Sequence, residues 1–197
     1  MYRDTDKFIT YLEPHYSDAV NYCTGLSKGN RDESKDLLQE SLLKGLENFS
    51  SLRDDSKFRS WFFTIITREF YNSKRNKFRK KFVSSDDIEL PEIFIETQKN
   101  DQKDLLLKAL STLKSKERSA VLLYELGGFS IEEIYIIQKE KSISAIKSRL
   151  SRAREKLRDC ISKLETSPGS MKIKNPNNIG DIQDETIDII AGLKAEK

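Results

Sequence analysis

The stretch SISAIKSRLSRAREKLRDCI, residues 142–161, combines a high positive charge with an unbroken apolar line. At about 100° per residue, as in an α-helix, its apolar residues fall within an arc of about 80° and form one core-facing stripe. The stripe consists of Ile143, Ile146, Leu150, Ala153, Leu157 and Ile161. A helix built only for solubility needs no such stripe, and a core helix needs no such charge. The pattern therefore predicts a helix that packs by one face and binds by another.

The face opposite the stripe carries small, hydrogen-bonding side chains between cations. Its outward residues are Ser144, Ala145, Ser148, Ser151, Arg152 and Glu155, with Lys147, Arg154 and Arg158 on one shoulder and Arg149 and Lys156 on the other. Serines permit close approach to base edges in the major groove, an arginine can donate two hydrogen bonds to guanine, and flanking cations suit the phosphate walls. A solvated charged helix that packs by one face is the alternative.

The residues before this helix favour the DNA-binding interpretation. The segment SKERSAVLLYELGG ends at Gly127 and Gly128, a suitable helix stop. The next segment begins with Ser130 and has Glu133 three residues on, which is the spacing of a capping box. A short helix, a tight connection (QKEKS, 138–142) and a basic helix follow the order of a helix-turn-helix.

The totals favour two small domains. The chain has 197 residues, of which 37% are hydrophobic and 34% charged, and its mean hydropathy is −0.63. Two small domains with a linker explain this polarity better than one globule, because small domains bury a smaller fraction of their surface. The sequence contains no apolar run long enough for a membrane span and its first residues do not resemble a secretion signal. We therefore expect a cytoplasmic protein without membrane insertion.

Metal and nucleophile chemistry have few candidate residues. Cys23 and Cys160 are the only cysteines, neither in a CxxC or CxxH pair, and His15 is the only histidine. We expect two buried or half-buried thiols. Zinc sites and Ser-His-Asp triads are hard to assemble from this set, and the sequence contains no phosphate-binding loop. No metal, cofactor or catalytic residue is predicted, and an enzyme is the weakest interpretation.

A second basic block, TREFYNSKRNKFRKKF (67–82), has aromatic residues between its cations: Phe70, Tyr71, Phe78 and Phe82. Cations that follow a backbone, with rings on which bases stack, suit single-stranded nucleic acid. The alternative is that the rings belong to the core and the lysines are merely solvated.

The whole chain is predicted to be all-α. In the N-terminal half, Pro14 is a kink or entry point, Leu37, Leu38, Leu42 and Leu46 share one side of a helix, and the expected core is Phe58, Trp61, Phe62, Ile65 and Ile66. Residues 83–103 are acidic, contain a proline and read as a linker. Helical periodicity returns at Asp104 and lasts to about Leu164. Residues 166–181 are rich in loop-forming residues, and ETIDIIAGLK then has the pattern of a short amphipathic helix.

Together, DLLQES, FRSWFFTII with the basic block after it, and GFSIEEI followed by AIKSRLSRAREKLR resemble bacterial RNA polymerase sigma factors of the extracytoplasmic function (ECF) group, in the sigma-70 family. The resemblance covers residues 5–82 (sigma region 2) and 104–163 (sigma region 4). It implies four segments: region 2 in 1–82, an acidic linker in 83–103, region 4 in 104–165 and a C-terminal extension in 166–197. It also implies a non-enzymatic promoter-specificity subunit of RNA polymerase.

The resemblance assigns roles to particular residues. Contact with the clamp helices of core polymerase falls on Asp36, Gln39, Glu40 and Lys44. Melting and capture of the −10 element fall on Arg68, Tyr71, Asn72, Lys74, Arg75, Lys77 and Arg79. Reading of the −35 duplex falls on Ser144, Lys147, Ser148, Ser151 and Arg152, with phosphate contacts from Arg149, Arg154, Lys156 and Arg158. Region 4 would also touch the polymerase flap.

The chain departs from the family pattern at several positions. Arg68 stands where the family usually has Asn, Lys114 replaces a common Pro, and the turn 138–142 is one residue longer than usual and lacks its usual Gly. The extension 166–197 is open to three interpretations: disorder, contact with an anti-sigma factor, or folding back onto one of the domains. We hypothesise that Ile187, Ile190 and Leu193 form a docking stripe on it. Two rival functions share parts of the pattern, namely a helix-turn-helix regulator without a polymerase role and a sigma-like module that titrates a regulator.

Overall fold

The computed structural model of the chain describes residues 2–83 and 101–165, and all regular structure in these ranges is helical. The α-helices are α1 Tyr2–Leu12, α2 Tyr16–Leu26, α3 Arg31–Asn48, α4 Phe58–Val83, α5 Asp101–Ser111, α6 Ser115–Val121, α7 Ile131–Ile137 and α8 Ile143–Glu165. They form two compact units, the first built on α1–α4 and the second on α5, α6, α8 and α7 up to Tyr135. This confirms the predicted all-α, two-domain fold.

Part of the predicted segmentation lies outside the described residues. Residues 84–100 of the acidic linker and the whole extension 166–197, with its proposed stripe of Ile187, Ile190 and Leu193, are among them. The boundaries of the four segments stay a prediction.

Aromatic rings form the core of the first unit. Phe8 of α1 makes edge-to-face contacts with Phe49 and Phe58, with ring centroids 5.5 and 5.6 Å apart. Phe62 stacks on Phe58 at 5.9 Å. Such pairs add about 0.5–1.5 kcal/mol each beyond the burial of their area. Of the predicted core residues, Phe58, Phe62 and Ile66 are buried, and Trp61 and Ile65 are half-buried because they lie at the edge of this face.

The inner face of α3 differs from the prediction. The line of leucines was expected to face the core, but Leu38 and Leu42 are half-buried and Leu46 is 38% exposed. The buried line is instead Ser34, Leu37, Ser41 and Gly45. A Cβ on Gly45 would lie 3.0 Å from the Phe8 ring and 3.2 Å from Phe62. Small residues therefore bring the α3 backbone close to the aromatic core, and the leucines are displaced to the flanks.

Local signals set the ends of the helices in the first unit. Pro14 lies in a 3₁₀ turn, Glu13–His15, that separates α1 from α2, as predicted for an entry point. Asn30 caps α3, since its side-chain Oδ1 accepts a hydrogen bond from the Glu33 amide at 2.9 Å. The 3₁₀ turn Asp55–Lys57 leads directly into α4.

A buried arginine and two glycines shape the second unit. Arg118 of α6 is 2% exposed and donates from Nε to the Leu110 carbonyl at 3.0 Å and from Nη2 to the Leu113 carbonyl at 2.9 Å. It thereby satisfies carbonyls at the C-terminal end of α5. After α6 the chain makes a π turn, Leu122–Leu126, and Gly128 follows with φ +61°. The predicted helix stop is confirmed.

The capping box before α7 is confirmed as well. The Ser130 amide donates to Oε2 of Glu133 at 2.8 Å, and the Glu133 amide donates to Oγ of Ser130 at 3.2 Å. Two backbone donors at the start of α7 are thereby satisfied reciprocally.

Both thiols lie where the sequence predicts them. Cys23 is buried and Cys160 half-buried, and neither forms a disulfide. Burial raises the pKa of the Cys23 thiol to about 12. Within residues 2–83 and 101–165, no group of three or more His, Cys, Asp or Glu side chains has a metal-binding arrangement. None of the helices described here has both the length and the apolarity that crossing a membrane requires.

Candidate nucleic-acid interface

Helix α8 packs against its unit through the apolar stripe that its sequence predicts. Ile146, Leu150, Ala153 and Leu157 are all buried. At the ends of the stripe Ile143 is 38% exposed and Ile161 is half-buried. The end positions lie beyond the helices that cover the middle of α8, which packs mainly on α6 and also on α5. The stripe therefore fixes which side of α8 faces away from the unit.

The side of α8 that faces away carries every residue predicted to contact −35 bases. Ser144, Lys147, Ser148, Ser151 and Arg152 are all exposed, together with Glu155 and Arg158. Three small hydroxyl side chains thus lie between long cationic ones on one helix face. This surface can approach a groove closely and can donate hydrogen bonds to base edges.

The turn before α8 contains a residue in the left-handed region. Lys139 has φ 49°, a conformation that glycine adopts at lower cost than other residues. Oγ of Ser142 then accepts a hydrogen bond from the Ala145 amide at 3.2 Å and caps α8. The turn therefore includes one strained backbone position, and α8 begins at a side-chain cap.

Three of the four cations predicted to contact phosphates are held in ion pairs. Arg149 Nη2 lies 2.8 Å from Oε1 of Glu140, which also pairs with Lys116 Nζ at 2.6 Å. Arg154 donates from Nε and Nη2 to Oε1 of Glu125, at 3.0 and 2.8 Å. The remaining predicted phosphate contact, Arg158, is exposed.

The third ion pair joins α8 to the start of α6. Lys156 Nζ donates to both carboxylate oxygens of Glu117, at 2.8 and 2.9 Å. Oε2 of Glu117 also accepts the backbone amide of Lys114 at 3.0 Å. A proline at position 114 has no amide to donate, so the departure at Lys114 adds a hydrogen bond to this cluster. The sequence did not predict these three partners: Glu125 and Glu117 lie 29 and 39 residues from their cations along the chain, and Glu140 lies in the turn directly before α8.

Two of these glutamates have shifted acidities. Burial by itself raises the pKa of Glu117, but hydrogen bonds from Lys156 and the Lys114 amide outweigh it and the net pKa is lowered. The same balance applies to Glu140, where Lys116 and Arg149 outweigh burial and lower the pKa. Both carboxylates are therefore held in the charged form.

The basic block of the first unit lies on α4, a helix of 26 residues, from its tenth residue almost to its end. Arg68 and Arg75 are exposed, whereas Tyr71, Asn72 and Lys74 are half-buried. Lys74 Nζ pairs with Glu33 at 3.3 Å, and Arg75 Nη2 donates to Oδ1 of Asn72 at 3.2 Å. The side chains of Lys77 and Arg79, also predicted for the −10 element, lie outside the described residues.

One ring of this block belongs to the core. The sequence left open whether Phe70 stacks on bases or belongs to the core, and Phe70 is 2% exposed. The Phe70 ring packs within the first unit, and Lys74 Nζ lies 5.7 Å from the ring centroid. The side chains of Phe78 and Phe82 are outside the description. For Phe70 the alternative interpretation, a ring that belongs to the core, is therefore correct.

The outer face of α3 carries the residues predicted to contact polymerase. Asp36, Gln39 and Glu40 are exposed, while Lys44 is half-buried and pairs with Glu47 at 2.9 Å. Leu43, 58% exposed, lies on the same face and was not predicted. A cavity of about 360 Å³ opens between α3 and α4, and its lining includes Asp36, Glu40 and Asn72. The predicted polymerase-binding and −10 residues thus border one surface.

Family comparisons give the context for these two surfaces. A family model described as sigma-70 region 2 matches residues 11–80, and one described as sigma-70, region 4 matches residues 103–157. The first match covers α2–α4 with most of the α4 basic block, and the second covers the helix-turn-helix with most of α8.

Relatives and solved structures agree. The ECF RNA polymerase sigma factor EcfG of Rhodopseudomonas palustris is 33% identical over 136 residues, 66% of this chain and 71% of the relative. The RNA polymerase sigma factor SigV of Bacillus subtilis is 27% identical over 161 residues, 81% of this chain and 93% of the relative. The sigma factor RpoE of Bartonella quintana, solved in complex with the anti-sigma factor NepR, matches with a TM-score of 0.62 and 28% identity, over 82% of this chain and 98% of that one. The chain therefore belongs to the sigma-70 family of RNA polymerase sigma factors, in its ECF group.

Proposed function

We infer that the chain is an alternative sigma factor, which binds core RNA polymerase and directs it to specific promoters. The observation that carries this conclusion is the presence of both sigma regions in one chain, with the exposed serine and cation face of α8 in region 4. A helix-turn-helix regulator without a polymerase role would not need region 2, which matches residues 11–80. A module that only titrates a regulator would not need that DNA-binding face.

The exposed face of α8 is proposed to read the −35 duplex. Ser144, Ser148 and Ser151 let the helix approach the groove, and Lys147 and Arg152 donate to base edges. A bidentate contact from Arg152 to guanine would contribute about 1–3 kcal/mol of base discrimination. Arg158 is exposed on the shoulder of α8 beside this face, and it is proposed to contact a phosphate. The phosphate roles of Arg149, Arg154 and Lys156 stay predictions, and their ion pairs argue against them.

The basic block of α4, residues 67–82, is proposed to melt and capture the −10 element. Arg68 and Arg75 offer exposed cations to the separated strands, and Tyr71, Asn72 and Lys74 lie beside them. Lys77 and Arg79 continue the same helix and are proposed to follow the backbone. Arg68 replaces a common Asn, so we expect the base preference here to differ from that of typical relatives. A flipped base costs a few kcal/mol, which contacts in this region must offset.

Core polymerase is proposed to bind through the outer face of α3. Asp36, Gln39 and Glu40, with Lys44 beside them, would meet the clamp helices, and Leu43 gives this charged face an apolar centre. Region 4 would meet the flap. We further propose that the chain has no catalytic activity of its own and works in the cytoplasm, on the nucleoid when bound to polymerase. An anti-sigma factor is a further proposed partner, supported by the Bartonella complex.

A reconstituted transcription experiment tests this function. The chain is mixed with sigma-free core polymerase and a library of promoter fragments, and run-off transcripts are sequenced. We expect transcripts with fixed start sites only when both proteins are present. Core polymerase alone is the control. Sequence-specific DNA binding without core polymerase would support a plain regulator, and a holoenzyme that starts at no promoter would support a titrating module.

A further inference from the structure

Three glutamates from three different segments each hold a cation of the recognition helix α8. Glu117 comes from α6, Glu125 from the π turn after it, and Glu140 from the turn that precedes α8. Their partners on α8 are, in the same order, Lys156, Arg154 and Arg149, all at 2.8 Å. We call this set of three ion pairs the carboxylate brace.

The brace consists of well-buried carboxylates. The side chain of Glu125 is 7% exposed, and those of Glu117 and Glu140 are each 10% exposed. If Arg154 or Lys156 left its pair for a DNA phosphate, a buried carboxylate would lose its cation, whereas Glu140 would keep Lys116. A buried charge without a partner is strongly destabilising. The carboxylates therefore hold the three cations, although the side chains of Arg154 and Lys156 are 34% and 41% exposed.

Other contacts hold the same side chains in place. The Arg154 guanidinium lies 4.9 Å from the Tyr124 ring centroid, in a cation–π contact. Arg149 is itself only 11% exposed. Glu140 is shared with Lys116, so the start of α6 and the start of α8 are joined through one carboxylate. Each ion pair thus belongs to a fixed local cluster.

The ion pairs of the brace lie on both shoulders of α8. Arg154 lies on one shoulder of the helix, while Arg149 and Lys156 lie on the other, and the three positions span about 10 Å of helix axis. A rotation of the helix by about 20° would carry groups ~6 Å from the axis by about 2 Å. A hydrogen bond to a base edge does not survive such a shift. Ion pairs on both shoulders oppose that rotation.

We propose that Glu117, Glu125 and Glu140 are positioning residues for −35 recognition: through Lys156, Arg154 and Arg149 they set the rotation of α8, and these three cations do not neutralise DNA phosphates. This inference rests on the proposed function of α8. Neutralisation of phosphates then falls on exposed cations such as Arg158.

Salt dependence separates the two roles. A cation that neutralises a phosphate releases a counterion, so its loss lowers the magnitude of the slope of log K against log salt by about 0.9. A positioning cation leaves that slope unchanged but affects the preference for the right sequence. The carboxylates give a second contrast, because removing a negative charge near DNA should tighten binding unless the carboxylate positions the helix.

The experiment uses full-length chain in holoenzyme with core polymerase. The probes are a duplex that the wild-type holoenzyme selects from a random pool, the same duplex with one −35 base pair changed, and a random-sequence duplex. The variants are Arg154→Gln, Glu125→Gln, the double variant and, as the matched control, Arg158→Gln, which removes an exposed arginine of the same helix. Binding is measured across a salt series, and circular dichroism melting checks that each variant folds.

For Arg158→Gln we expect the slope to fall by about 0.9. Arg154→Gln and Glu125→Gln should keep the wild-type slope and lose about tenfold of the preference for the selected duplex over the changed one, and the double variant should be no worse than either. A slope that falls by about 0.9 in Arg154→Gln, or tighter binding by Glu125→Gln, would overturn the proposal. Should Glu125→Gln fail to fold, Glu140→Gln with Arg149→Gln provides the same comparison.

Failure of the proposed function gives a different result. A wild-type holoenzyme that selects no duplex would count against −35 reading by α8. The salt slopes of the same variants on the random-sequence duplex would still decide whether Arg154 and Arg149 neutralise phosphates.

Discussion

At the scale of single residues, the guanidinium of Arg118 joins α6 to the end of α5. It replaces water at the Leu110 and Leu113 carbonyls, at 3.0 and 2.9 Å. We expect Arg118→Ala to lower the free energy of unfolding of region 4 by about 2–4 kcal/mol, because it leaves both carbonyls without this donor and opens a cavity. Urea unfolding followed by circular dichroism measures this. Lys108→Ala, at an exposed position of α5, is the control and should change stability by less than about 0.5 kcal/mol.

Two adjacent glycines allow crowding and backbone strain to be separated. A Cβ on Gly127 would lie 2.6 Å from the Phe129 ring and 2.7 Å from the Leu123 carbonyl oxygen. Gly128 has open space around it but a φ of +61°. We expect Gly127→Ala to lower the unfolding free energy of region 4 by about 2–3 kcal/mol and Gly128→Ala by only about 1 kcal/mol. The reverse order in thermal unfolding would contradict the crowding argument.

The sequence was sufficient at this scale where the environment of a side chain depends on residues that are close to it along the chain. The apolar residues of α8 and the Ser130–Glu133 capping box depend on spacings of three or four residues, which the sequence displays directly. It could not decide where the partner is remote. For Phe70 the sequence left stacking on bases and burial in the core both open, and the fold buries the ring. The glutamates that pair with Arg154 and Lys156 lie 29 and 39 residues away along the chain.

At the scale of elements, the ion pairs that hold α8 depend on carboxylates whose charge changes with pH. The pKa of Glu117 and that of Glu140 are lowered from their usual 4.5 because Lys156, Lys116 and Arg149 hold the carboxylates charged against the effect of burial. A carboxyl whose pKa is lower in the folded chain stabilises it above the unfolded value, and this contribution is lost as the pH falls through the folded pKa. We therefore expect region 4 to lose stability as the pH falls below 4.5.

A pair of variants tests this dependence. In urea unfolding between about pH 3 and pH 7, the Glu117→Gln/Glu140→Gln variant should be less stable at neutral pH and should lose less stability on acidification than the wild type. Glu155→Gln, at an exposed position of α8, is the control and should follow the wild type. An unchanged acid dependence in the double variant would show that other groups dominate it.

Helix α3 illustrates why an element can be predicted while its orientation cannot. The sequence predicts the helix and its charged outer face correctly, yet of the four leucines that it places on the other side only Leu37 is buried. The remaining buried positions are Ser34, Ser41 and Gly45, which have little hydrophobicity of their own. At Gly45 the large rings of Phe8 and Phe62, contributed by α1 and α4, come so close that a Cβ would lie 3.0 and 3.2 Å from them. Shape from other elements therefore overrides the hydrophobic pattern.

At the scale of the whole molecule, the two regions divide the work between them. Asp36→Arg reverses the charge of an exposed residue on the proposed polymerase face, whereas Arg152→Ala removes a proposed base contact. We expect Asp36→Arg to abolish co-elution with core polymerase in gel filtration. Arg152→Ala should co-elute like the wild type but lose about 1–3 kcal/mol of −35 base discrimination. Both variants should melt within a few degrees of the wild type, because both positions are exposed.

A result in which either variant loses both properties would contradict this division of labour. The two-domain, all-α plan was predictable because two periodic blocks are separated by an acidic, irregular stretch in the sequence. Which side chains each region leaves exposed for binding was not predictable, since that depends on contacts between helices.

The carboxylate brace has a consequence for how such a factor changes its target. The three brace cations and the five exposed residues predicted to contact bases are different positions on the same helix. Selection can therefore rewrite the reading face of α8 without remaking the scaffold that holds it. Exchanging Ser144, Lys147, Ser148, Ser151 and Arg152 for the matching residues of a relative should transfer the promoter preference of that relative, so region 4 is a ready frame for orthogonal sigma factors in genetic circuits.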